Sequence, residues 1–331
     1  MKRMKKSFYV SSVALLSAMV VLSGCGSQNS QSASSPPAKT KDIHNIVIGI
    51  TESNVGADSY ETTYDQSFRD YAKKLGVKTV MLDAGGDPAK QMNQIEDLIQ
   101  QKVSVIIVWP TNGKTIIPAV KKAYNAGIPV IMTNSPIDPS GNKYIKGFSG
   151  PDNVAEGREA GEELAEALNG KGNIVEILGT PGYTTSIQRA QGFNEAIKKY
   201  PNIKVLDSQP ANGDRAKAQQ VMEDFLTKYK DINGVYALDD NVGVGALNAI
   251  KAAGRLKDIK ITGSGNFAVG YDAIAKGEYY GSVYQSPVSD AENALKMGID
   301  VAEGKKVPFN DYFKTPKITH SNYKQFTKPV F

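Results

Sequence analysis

Residues 103–138, VSVIIVWPTNGKTIIPAVKKAYNAGIPVIMTNSPID, decide the fold. Residues 103–108, apolar but for Ser104, form a short run with the pattern of a strand covered on both faces in a parallel sheet. Trp109-Pro110 ends it, because proline brings no N–H to a ladder. Asn112 offers a cap for a helix on which Ile116, Ile117, Val120, Ala123 and Tyr124 recur at helical spacing. Gly127 stops that helix, and 128–133 is a second β-rich run closing on Asn134-Ser135-Pro136. The stretch is one βαβ unit with two polar strand ends. Ligands of open α/β sheets sit outside the carboxyl ends of the strands. A small-molecule site is therefore expected at these two ends, with the chain's only tryptophan in it.

The same rhythm extends in both directions. Strand starts near 46, 77, 103 and 128 lie 25 to 31 residues apart, the length of a right-handed βαβ unit. Tyr64, Phe68, Tyr71, Ala72 and Leu75 form one helical stripe, and Met92, Ile95 and Ile99 another. After a turn-rich passage at 138–141 and a short run at 144–148, helix 154–168 opens a second set. Strands at 174–178, 203–208, 235–238, 259–262 and 281–284 alternate there with helices at 186–200, 216–229, 242–253 and 269–276. A last helix over 290–303 and an extended segment over 307–317 close the chain. Two βα sets joined at a Gly/Pro-rich crossing predict an α/β protein of two lobes with a cleft between facing strand ends.

Composition narrows the class. The 331 residues are 40% apolar and 22% charged, which is globular, and the length suits two domains. The net charge of +5 comes mostly from Lys2, Arg3, Lys5 and Lys6 in the first 24 residues, which carry no acid. Removing those four leaves 35 basic residues against 34 acidic ones, so no nucleic-acid footprint remains. Two histidines and one cysteine are too few for a His/Cys metal cluster, and no cofactor motif is complete. Residues 1–24 have the basic start and apolar centre of a secretory signal segment. Leu22-Ser23-Gly24-Cys25 resembles the lipobox of bacterial lipoproteins, which implies cleavage before Cys25 and acylation of its thiol. That is expected to hold the protein at the extracytoplasmic face of the membrane. Residues 26–41, GSQNSQSASSPPAKTK, read as a flexible tether.

Seven further stretches carry a resemblance. They are Tyr71-Ala72-Lys73-Lys74-Leu75-Gly76, Asp87-Pro88-Ala89-Lys90-Gln91, Ala126-Gly127-Ile128-Pro129-Val130-Ile131, Gly150-Pro151-Asp152-Asn153, Arg189-Ala190-Gln191-Gly192-Phe193, Ser208-Gln209-Pro210-Ala211 with Asp214-Arg215, and Val244-Gly245-Ala246-Leu247. In this order the chain resembles the type I periplasmic sugar-binding proteins, substrate-binding subunits of ABC importers, and is most similar to the ribose-binding branch. The resemblance spans about 46–305. It implies two Rossmann-like lobes, 43–148 with 286–313 and 149–285 with 314–331, joined by a hinge of three crossings near 147–150, 284–287 and 313–316. It implies no catalysis: a monomer captures a sugar and delivers it to a membrane permease.

The family's ligand positions carry over unevenly. Where it places aromatics after the first strand, Tyr60 and Glu61 stand here. Trp109 replaces a polar residue, and Asn134-Ser135 replaces an Asp-Arg pair. A ligand arginine falls at Ile187, two residues before Arg189, so no arginine stands at the family's usual ligand positions. Asp239-Asp240 takes the place of an Asn-Asp pair, Gly265 with Asn266 beside it replaces an aspartate, and Gln285 is kept. The ligand expected is a neutral sugar or open-chain polyol, or a weakly cationic one, rather than an anion: Asn134, Asp239, Asn266 and Gln285 supply donors and acceptors, and Glu61 and Asp239 add acceptors that no arginine at those positions offsets. Trp109, Tyr60 and Tyr183 supply apolar faces.

Each residue also has a plainer role open to it. Trp109 could cover the sheet edge, and Tyr183 could be an exposed loop aromatic. Arg189 suits a structural pair with an acid such as Asp214, and Asp240 suits a helix cap, which leaves Asp239 for the ligand. Glu61 and Asp239 could also form a glycosidase-like carboxylate pair, the enzyme alternative. A sensor that presents its closed form to a receptor is the other. A transcriptional regulator of this fold would need a helix-turn-helix where the signal segment stands.

Overall fold

The computed structural model describes residues 43–265 and 267–330. Cys25, the leader and the tether, and also Asn266, lie outside the described residues. The first βα set runs β1 (Val47–Glu52), α1 (Ser59–Leu75), β2 (Lys78–Asp83), α2 (Pro88–Gln100), β3 (Val105–Val108), α3 (Ile117–Asn125), β4 (Val130–Thr133) and β5 (Gly147–Pro151). The second runs α4 (Asn153–Ala167), β6 (Lys171–Leu178), α5 (Thr184–Ile197), β7 (Asn202–Pro210), α6 (Arg215–Lys228), β8 (Gly234–Ala237), α7 (Asp240–Ala252), β9 (Lys260–Gly265), α8 (Ala268–Ala275) and β10 (Gly281–Tyr284). Helix α9 (Pro287–Ala302) then returns to the first lobe, and β11 (Asn310–Phe313) and β12 (Lys317–Thr319) follow.

Two sheets result, ordered β11-β5-β4-β3-β1-β2 and β12-β10-β9-β8-β6-β7. All pairs are parallel except β10 with β12, where Ser282 faces Ile318. Strand β3 shows how the apolar run becomes a layer. Its residues are fully buried, with Val105 and Ile107 packing towards the α1/α9 side and Ile106 and Val108 towards the α2/α3 side. Helix ends follow local chemistry. Asp87 caps α2 by accepting from the amides of Ala89 and Lys90, with Pro88 in the first turn, and Gly76 closes α1 at φ 71°. Helices α4 and α5 approach through glycine. A Cβ on Gly157 would strike the carbonyl oxygen of Arg189, and one on Gly192 that of Val154.

The chain passes between the sheets three times: at Asp152, at Gln285-Ser286, and over 314–316. The first passage falls later than residues 147–150. Ser149, Gly150 and Pro151 pair with β11 and so belong to the first sheet, a partner the local sequence does not reveal. Asp152 then caps α4 through the amide of Ala155 at 3.0 Å. The segment expected to be one extended piece at 307–317 is two strands, one in each sheet.

Candidate functional site

The carboxyl ends of the central strands of both sheets open onto one cavity of about 520 Å³. From the first lobe, Tyr60 and Glu61 reach it from the first turn of α1, Trp109 from the end of β3 and Asn134 from the end of β4. From the second, Tyr183 and Arg189 come from the start of α5, Asp239 from the end of β8, and Gln285 from the second crossing. Asn134 adopts φ 56°, a left-handed conformation that asparagine tolerates better than most residues.

Aromatic rings wall the first-lobe side. Trp109 is only 2% exposed and meets Tyr64 edge-on at 4.9 Å between centroids, and Tyr60 at 6.2 Å. The indole is thus both core and cavity wall. Its Nε1 donates to the Tyr183 hydroxyl at 2.9 Å, a bond that joins the two lobes. Phe267, just after β9, lies 6.3 Å from Tyr60 and packs into the first-lobe cluster from the opposite lobe.

Two buried carboxylates lie behind the polar lining and set its orientation. Asp290, on the first turn of α9, accepts from Asn134 Nδ2 at 2.7 Å and from the Tyr60 hydroxyl at 3.1 Å. Burial lifts its carboxyl to about 7, against those two hydrogen bonds. Glu156, fully buried on α4, accepts from Arg189 Nε at 2.9 Å and from Gln285 Nε2 at 2.6 Å. A carboxylate accepts, so each amide commits one N–H of its nitrogen to the buried acid, which fixes its orientation; its second N–H and its carbonyl oxygen are left over. Arg189 is 6% exposed, and its Nη1 donates to the Leu238 carbonyl at 3.2 Å.

The acids of the lining occupy helix starts. Asp58 Oδ1 accepts from the Glu61 amide at 2.8 Å at the head of α1, and Asp239 Oδ1 from the Val242 amide at 2.8 Å at the head of α7. Glu61 Oε1 accepts from Ser53 Oγ at 2.9 Å, while its Oε2 is buried without a hydrogen-bond partner. Burial, with Asp58 alongside, raises Glu61 to about 8. Burial, again with Asp58, raises Asp239 to about 6 although Arg189 and two backbone amides pull the other way. Asp58 therefore acts on an acid of each lobe. Among the described residues no group of His, Cys, Asp and Glu is arranged to hold a metal ion.

Set beside known proteins, residues 48–306 match the periplasmic binding protein domain. The chain belongs to that family. This binding protein is 30% identical over 302 residues to the xylitol-binding protein of Mycolicibacterium smegmatis, covering 91% of this chain and 82% of that one. It is 30% identical over 297 residues to the ribose import binding protein of Bacillus subtilis, covering 89% and 94% of the two. Among solved structures, an ABC transporter solute-binding protein from Bacillus halodurans with bound myo-inositol superimposes with a TM-score of 0.81. The identity there is 27%, with 86% of this chain and 98% of that one covered. The fold is thus the two-lobed one of the type I periplasmic binding proteins, and the family is one of extracytoplasmic solute-binding proteins.

Within the binding protein, eight of the ten residues named from sequence line one cavity: Tyr60, Glu61, Trp109, Asn134, Tyr183, Arg189, Asp239 and Gln285. Ser135 is not among the lining residues. The left-handed turn at Asn134 sends it inward, where it is fully buried with its hydroxyl unpartnered. Asn266 lies outside the described residues. Ile187 and Arg189, two apart on α5, face opposite ways: the first is 56% exposed, the second buried and in the cavity lining. Two expectations change. The partner of Arg189 is Glu156, while Asp214 is exposed and caps α6 through Lys217. The cap of α7 is Asp239, which lines the cavity as well, rather than Asp240. Asp240 is buried behind it, accepting from Ser282 Oγ at 2.7 Å. Asp58, Glu156, Phe267 and Asp290 escaped sequence reasoning. Only Asp58 had a local signal, an acid three residues before Glu61 at a helix start.

Proposed function

We propose that this chain is a lipid-anchored solute receptor that captures a sugar or open-chain polyol without negative charge between its lobes. It hands that ligand unchanged to an ABC permease. The observation that carries the reading is the cavity itself. Both lobes and the hinge supply its walls, aromatic faces suit the C–H surface of a polyol, and carbonyl and carboxylate oxygens suit its hydroxyls. The only arginine among the lining residues is tied to Glu156, which disfavours an anionic ligand. The similarity to a xylitol-binding and a ribose-import binding protein supports the same class. Anchoring is assigned to Cys25, with residues 26–42 as tether, and the working form is a monomer. Lobes would close by bending at the three crossings.

Thermal-shift screening of neutral sugars and polyols tests the reading, because a ligand that binds only the folded form raises the melting temperature. A hit should also change Trp109 emission, since the indole contacts both lobes. Recovery of the hit unchanged, by mass spectrometry, supports capture without catalysis, whereas a product would establish an enzyme. A Cys25→Ala variant should leave the membrane fraction; retention there would overturn the anchor.

A further inference from the structure

Several donors of the cavity are engaged inside the protein. Trp109 Nε1 is given to Tyr183, the Tyr60 hydroxyl to Asp290, Ser53 Oγ to Glu61 and Thr111 Oγ1 to Gln91. Asn134 and Gln285 have turned their nitrogens to buried carboxylates, and Arg189 is held by Glu156 and a backbone carbonyl. No lysine is among the lining residues. Beside the amides of Asn54 and Asn212 and the hydroxyls of Thr180 and Thr185, the lining carries acidic acceptors from both lobes: Asp58, Glu61 and Asp239. Glu61 is nine-tenths buried, and one of its oxygens has no hydrogen-bond partner.

We infer that the ligand carries a protonated amine, held between Asp58 and Glu61 of the first lobe and Asp239 of the second: an amino sugar or amino polyol. The inference rests on the reading of the cavity as a sugar or polyol site. A hydroxyl brings one proton to such a cluster, whereas an ammonium brings three and a charge, and charge-assisted bonds are about twice as strong. The helix starts that would draw an anion, at α1 and α7, already hold Asp58 and Asp239. Rings of Tyr60, Trp109 and Phe267 border the same space, and aromatic faces attract cations. Burial and repulsion from Asp58 raise both Glu61 and Asp239, and a cation between the lobes reverses the second cause and offsets the first. Closure of an empty cleft brings carboxylates of opposite lobes together, so the amine also supplies the attraction that closing requires.

Matched pairs test this by calorimetry on the mature protein at neutral pH: xylitol with 1-amino-1-deoxyxylitol, myo-inositol with an inosamine, and galactose with galactosamine. Each amine is repeated as its N-acetyl derivative, which removes the charge. In at least one pair the amine should bind about tenfold or more tighter than its parent, and acetylation should abolish the gain. Glu61→Gln should narrow that ratio. Parents that bind as tightly as their amines in every pair overturn the inference and leave the polyol reading standing. Absence of binding by both members of every pair overturns the polyol reading, and the inference with it.

Discussion

Replacing Glu163 by glutamine should stabilise the protein in alkaline solution and do little in acid. Glu163 lies on α4, 1% exposed, with neither carboxyl oxygen hydrogen-bonded. It is packed under β10, where its Oε2 sits 2.9 Å from the position a Cβ on Gly281 would take. Burial raises its carboxyl from 4.5 to about 9; Lys317 opposes this, and Glu159, Asp240 and Glu166 add to it. A raised acid favours the fold while it keeps its proton. Its contribution is complete below the unfolded value and is lost as pH climbs through the folded one. Over that window stability falls by about 1.4 kcal/mol per pH unit, because the unfolded chain releases a proton that the folded chain retains. From the unfolded value to about pH 8 this amounts to ~5 kcal/mol, and relaxation around the buried charge reduces it to roughly 2 kcal/mol. Urea unfolding of both proteins at about pH 5 and about pH 8 provides the comparison. Glu52, Asp240 and Asp290 are raised too, to about 9, 8 and 7, so only the double difference isolates Glu163. The variant should gain roughly 2 kcal/mol relative to wild type between the two pH values. An equal offset at both pH values would refute the argument.

Arg189→Met should cost about 3–5 kcal/mol in thermal or urea unfolding, because it strands the fully buried Glu156 without its cation. Adding Glu156→Gln should recover much of that loss; no recovery would mean that packing, not charge, is at stake. Tyr183→Phe deletes the acceptor of the Trp109 indole across the cleft and should weaken ligand binding by about three- to tenfold with little change in stability. An unchanged affinity by calorimetry would show that the bond is not part of the closed liganded form. Gly157→Ala pushes a methyl group onto the Arg189 carbonyl and should destabilise by about 1–3 kcal/mol. A neutral result in the same unfolding assay would show that α4 and α5 can separate freely.

The parts of this molecule legible in its sequence are those in which a residue acts through its own neighbours. The four buried positions of β3 form an apolar run, and Trp109 follows because strand ends open onto the cleft. The same logic located Asn134 and Asp239. What escaped was pairing at a distance. Gly150 and Pro151 pair into the first sheet through β11, which returns beside them some 160 residues later. Which of Asp239 and Asp240 caps α7 turns on a single residue of helix register, which boundary reasoning does not resolve.

The most consequential omission concerns direction rather than identity. By their chemistry alone, Asn134 and Gln285 offer donors and acceptors alike. Asp290 lies 156 residues beyond Asn134, and Glu156 lies 129 residues before Gln285. Each carboxylate takes one N–H of its amide and so fixes which way the amide faces. A ribose-like set with free arginines would invite different ligands. Here the arginine is present but neutralised, and the amides have been turned. Specificity is therefore written in the layer behind the lining, in Asp290 and Glu156, whose removal should change what the cavity prefers more than how large it is.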